Sequence, residues 1–173
     1  MTHLLREKFL KFGLYAFLVF SLYVFQSIPG FLSVSGIKPL LVLPACIAIA
    51  LYEGAFAGGL FGFFFGFLCD TGSETLFGFS ALFFLVLCAV VGFLSTYVLR
   101  PGLLNGMLLC LAALFLSLGA AFFFTYVLYN YEGLSSFFYL GIAPQLVYSS
   151  LFSVPFCLLF ERLHTLFAQR EDL

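Results

Sequence analysis

The chain has 173 residues, 64% of them hydrophobic, 21% aromatic and 9% charged, with mean hydropathy +1.17 and a formal net charge of −1. A typical soluble domain is about 25% charged, and a fold this small has too little interior to hide so much apolar surface from water. A water-soluble globular protein is therefore excluded, the near-zero charge argues against a nucleic-acid partner, and the medium must be a lipid bilayer.

Arg6, Lys8 and Lys11 precede an apolar run from about Phe12 to Ile28. The run lacks the short core and small-residue cleavage site of a signal peptide, so it reads as an uncleaved first span. Pro29-Gly30 ends it, and Phe31 to Lys38 reads as a loop. Pro39 suits the first turn of a second helix, where a missing N–H costs nothing. That helix runs to Tyr52 and is short for a hydrocarbon core of roughly 30 Å.

The stretch Glu53 to Asp70, EGAFAGGLFGFFFGFLCD, organises the chain. Gly54, Gly58, Gly62 and Gly66 recur every four residues, and Asp70 is the next step of the series. Positions four apart share one face of a helix. In water so much glycine would weaken a helix by roughly 1 kcal/mol per residue relative to Ala. In lipid, small residues let two backbones approach closely. The stretch thus reads as a membrane helix with a flat contact face, internal or for a partner, ending in a carboxylate. Phe61 and Phe65 are expected to point away from that face. Asp70 is expected to accept bonds from backbone N–H groups of the following TGSE and to lie on the same side as Lys38. Glu53 reads as a solvated residue in the turn between the two short helices.

Three further spans follow: about 79–99, 103–129 and 137–160, the last with expected kink sites at Pro144 and Pro155. A charged tail from Glu161 closes the sequence. With a hairpin at Glu53 the six spans put Arg6, Lys8, Lys11, Arg100, Arg162 and Arg170 on one side and only Lys38 on the other. The positive-inside rule favours this arrangement and puts both termini in the cytoplasm. The expected fold is all-α, one polytopic membrane domain over residues 1–173 with spans at about 12–28, 39–52, 54–69, 79–99, 103–129 and 137–160.

No nucleophile–base pair or metal cluster is visible. Cys46, Cys69, Cys88, Cys110 and Cys157 form no CxxC pair and read as small buried hydrophobes. His3 and His164 lie near opposite ends and imply no metal site. Gln26, Asn105 and Gln145 are a thin polar supply for an ion-coupled carrier. No catalytic residue, cofactor or metal is expected.

Lys38-Pro39, a short apolar helix, Glu53-Gly54, then Gly62-Phe63, Gly66 and Asp70, with Leu76 and Gly78 after a short loop, resemble the MreD family of bacterial rod shape-determining membrane proteins. Pro155 in the last span also fits, although Ser149 and Ser150 stand where that family commonly has Asn. The resemblance implies a non-catalytic scaffold of the cell-elongation machinery in the cytoplasmic membrane. It implies binding to the bitopic protein MreC and, through it, connection to MreB, a SEDS glycosyltransferase and a penicillin-binding transpeptidase. The family is similar in architecture to the substrate-binding subunits of energy-coupling-factor vitamin transporters. That likeness supplies the alternative reading, a small-molecule-binding subunit.

Overall fold

The computed structural model describes residues 2–28, 38–72, 77–97, 102–124 and 143–171. Among them are six helices and no strand: α1 Thr2–Ser27, α2 Val42–Glu53, α3 Ala55–Thr71, α4 Phe79–Tyr97, α5 Leu103–Phe122 and α6 Ala143–Glu171. Stretches within α1, α4, α5 and α6 are long and apolar enough to cross a membrane. At 1.5 Å per residue, α2 rises only about 18 Å and α3 about 25 Å.

The short helix α2 is the centre of the molecule. Every residue from Val42 to Leu51 is buried, and α2 touches each of the other five helices. A helix that is apolar all round belongs in an interior. Ala45, Cys46, Ala48 and Ala50 keep it thin enough for neighbours to pack on every side. The first-turn proline is Pro44, not the expected Pro39, which lies three residues ahead of the helix start. Pro44 is tolerated because N–H groups of a first turn have no partner within the helix.

The donors that open α2 are satisfied from other helices. Leu40 N–H donates to Ser149 Oγ of α6 at 2.9 Å. Leu41 and Val42 N–H donate to Gln26 Oε1 of α1 at 2.8 and 3.2 Å. In lipid no water is at hand for these groups, so the protein must supply the acceptors. Tyr23 of α1 likewise meets Thr71 at the end of α3, 3.3 Å away. These bonds gather the last turns of α1 and α3 with the first of α2 at one end of the bundle.

Gly54, with φ +88°, breaks the chain between α2 and α3. Few side chains adopt that conformation. The two helices fold back on each other, with Gly58 against Ala50, so the turn expected at Glu53-Gly54 makes a hairpin rather than one bent span. At the other end of the chain, α6 continues as helix to Glu171, well beyond the expected limit at Phe160. Pro155 lies inside it, whereas Pro144 is its second residue and starts the helix. Residues 125–142, which hold the end of the fifth expected span and the start of the sixth, are outside the described residues.

The exposed surface is apolar. On α4, Leu82, Val86, Val90 and Phe93 face outward at helical spacing. Lys11, Asp70, Ser117, Ser149 and Ser153 are buried instead. An apolar exterior with charged and hydroxyl groups kept off it is the distribution a bilayer requires.

Candidate functional site: a glycine seam with a carboxylate at each end

Along α3, Gly58, Gly59, Gly62, Gly66 and Asp70 are buried. A methyl group added to Gly62 would lie 2.7 Å from the Phe84 carbonyl oxygen and 3.1 Å from Cys88 Sγ. At Gly66 it would lie 2.6 Å from the Ser80 carbonyl oxygen and 2.8 Å from Ala81 Cα. The two backbones of the α3–α4 hairpin therefore touch, and glycine is the residue that permits it. On α4, Ala81, Cys88, Ala89 and Gly92 supply the matching small side chains; Gly92 meets the backbone of Gly54 and Ala55.

The four-residue stripe does not stay on one neighbour. Four residues at 3.6 per turn advance a full turn plus about 40°. Gly66 and Gly62 therefore face α4, while Gly58 faces Ala50 of α2. Gly59 takes over the α4 side opposite Ala89, at 3.5 Å. Neither Gly59 nor Gly92 belongs to the stripe read from the sequence. The drift of a strict four-residue repeat was the signal for Gly59. Gly92 emerges once α4 is paired antiparallel with α3.

Phe61 and Phe65, expected to point away from the glycine face, are not lipid-facing side chains. Phe65 is buried in the core and stacks on Phe61 with ring centroids 6.1 Å apart. Phe56, Leu60, Phe64 and Phe67 form the exposed face of α3.

Asp70 closes the seam at one end. Its Oδ2 accepts from the N–H groups of Gly78 at 3.0 Å and Ala81 at 3.1 Å, and its Oδ1 from that of Ser80 at 3.1 Å. These donors open α4, so the carboxylate at the C-terminal end of α3 serves as N-cap of the next helix. It sits against the positive end of the α4 dipole, which favours a negative charge. Gly78, with φ +90°, turns the chain so that all three N–H groups converge on it. Ser73 and Glu74 of the expected TGSE donor set lie outside the described residues.

Glu53 closes the other end, and it is not the solvated turn residue that the sequence suggests. Lys11 Nζ lies 2.7 Å from Glu53 Oε1, and the two side chains are 9% and 10% exposed. Tyr15 OH donates to the same oxygen at 3.1 Å, and His164 Nε2 lies 3.9 Å from it. The His164 ring stacks on Tyr52, and Tyr15 packs edge-on against Phe160. Glu53 thus ties α1 and α6 to the α2–α3 turn. Turn residues are usually wet, but here the extension of α6 past Phe160 carries His164 over the turn and shields it. Lys11, Tyr15 and His164 carry no sequence signal that links them to Glu53. Their spacing is tertiary.

The other residues of the family-like pattern have structural posts. The Lys38 carbonyl accepts from Gln145 Nε2 at 3.0 Å, and Pro39 is buried beside it. The five cysteines are free thiols. Cys110 and Cys157 Sγ lie 3.8 Å apart in the core between α5 and α6. Among the described residues no group of three or more His, Cys, Asp or Glu is placed to hold a metal ion.

A sequence model described as rod shape-determining protein MreD matches residues 6–167. The chain belongs to the MreD family. No curated protein and no solved structure matches it. The match covers nearly the whole MreD-like chain, from the base of α1 to beyond His164, so it takes in both ends of the glycine seam. It places this member among proteins that determine rod shape, and the all-helical, apolar-surfaced fold is that of a membrane protein.

Proposed function

We propose that this MreD family member is a non-catalytic scaffold that binds MreC in the cytoplasmic membrane. Through MreC it links MreB filaments to the SEDS glycosyltransferase and the penicillin-binding transpeptidase that elongate the wall. The observation that carries this reading is the family match over residues 6–167. The use of the seam supports it: the small-residue face and both carboxylates serve to fix helices to one another. The polar groups described at the seam hold structure and form no nucleophile–base pair. In this reading the chain is one membrane domain with both termini in the cytoplasm, the side that the basic residues favour. The rigid α2–α3–α4 unit is the frame, and the partner binds its apolar exterior.

Depletion tests the reading. In a rod-shaped bacterium stripped of its own family member, this chain should restore rods. Spherical cells despite normal membrane levels of the chain would overturn the proposal.

A further inference from the structure

At the end of the bundle marked by Asp70, helices α4 and α5 touch little, and a cavity of about 360 Å³ lies between them. Helices α1, α3, α4, α5 and α6 contribute to its wall, together with Lys38, Pro39 and Leu40 just ahead of α2. Protein interiors are packed to the density of organic crystals, with few voids larger than a water molecule. A void this large is within the range of small-molecule sites. It is also held open by design of the chain. Gln145 of α6 reaches across to the Lys38 carbonyl, Gln26 of α1 holds the start of α2, and Tyr23 holds Thr71. These cross-helix bonds fix the walls without filling the space between them.

The lining has two characters. Phe79, Phe83, Phe84 and Leu118 give an apolar wall, with Ser80 and Ser117 set into it. Lys38, which is exposed, supplies the single charge among the described lining residues, and no carboxylate is among them. An apolar body would be buried against the phenylalanines. An anionic head would meet the Lys38 ammonium at the rim, where a charge-assisted hydrogen bond is stronger than a neutral one. We infer that this cavity binds a small amphipathic molecule with an anionic head, a bilayer phospholipid or a free organic acid. This goes beyond the scaffold role and does not depend on MreC.

The test is native mass spectrometry of the full chain released from its own membranes in mild detergent. Wild type should retain about one anionic amphipath per chain. A phospholipid mass would identify the bilayer as the source, and a smaller mass lacking glycerophosphate would identify a solute; either supports the site. Ala121→Phe places a ring in the cavity and should cut retention at least tenfold with the melting temperature little changed. Lys38→Gln should weaken retention of the same mass. Should Ala121→Phe fail to fold, Ser117→Leu makes the same test from another side of α5. Cys69 lines the cavity, so its labelling by N-ethylmaleimide should be slowed by the retained molecule and accelerate after its removal. Wild type without a retained mass, or equal retention in the filled variants, would overturn the inference.

Discussion

The Asp70 carboxylate accepts from the backbone N–H groups of Gly78, Ser80 and Ala81, at the start of α4. The sequence places an acid at the end of a glycine series, where the α3 dipole opposes it. The opposing term is outweighed because α4 begins beside α3 and presents its positive end. Asp70→Asn keeps the shape but removes the charge and one acceptor oxygen. It should cost about 1–2 kcal/mol, the range for a lost helix cap. Asp70→Leu strands three N–H groups and should cost more, at about 1–3 kcal/mol for each buried unsatisfied donor. Thermal unfolding in detergent should rank wild type above Asn above Leu, and shape activity should follow folded yield. An unchanged melting point for Asp70→Leu would show that the cap contributes nothing. Glu53 supplies a second test. Glu53→Leu leaves Lys11 charged and buried, a situation that costs about 3–5 kcal/mol. Lys11→Met with Glu53→Leu removes both charges and should recover much of the loss. A double variant as unstable as the single would mean that the pair is not the tie between α1 and the hairpin. This cluster was illegible in the sequence because its members are scattered over α1, the turn and α6.

At the scale of elements, α3 owes its place to what it lacks. Glycine allows the α3 and α4 backbones to meet, and the exposed phenylalanines and leucine turn to lipid. The stripe, the hairpin and the all-helical class were legible, since four-residue spacing and a Gly after an acid have local meaning. The rotation of the stripe from α4 to α2 was not, nor the burial of Phe65, because both depend on which neighbours arrive. Gly62→Leu drives a branched side chain into the Phe84 carbonyl. Overpacking a tight site costs about 1–3 kcal/mol and here is opposed by backbone, so the upper end applies. Folded yield should fall sharply for Gly62→Leu and hold for Phe64→Leu, whose ring faces outward. Equal yields would mean that the seam is not the internal contact described. Normal yield with loss of MreC from Gly62→Leu would make it an intermolecular face instead.

On the scale of the whole molecule, the bundle is built around a helix too short to cross the membrane by itself. The sequence points to the glycine helix as organiser, yet α2 is the element that every other helix touches. Its run of small and apolar residues resembles any span in the sequence, and only the packing shows it to be central. Gln26, Ser149 and Glu53 tie α2 and its turn to α1 and α6, and in the proposed reading a membrane partner meets the apolar exterior around it. The scaffold account is tested most directly by what accompanies the chain out of its native membrane. Purified in mild detergent, the wild-type protein should bring MreC with it in about equal amount. An ATP-binding-cassette module in place of MreC would contradict the scaffold and identify a transporter subunit.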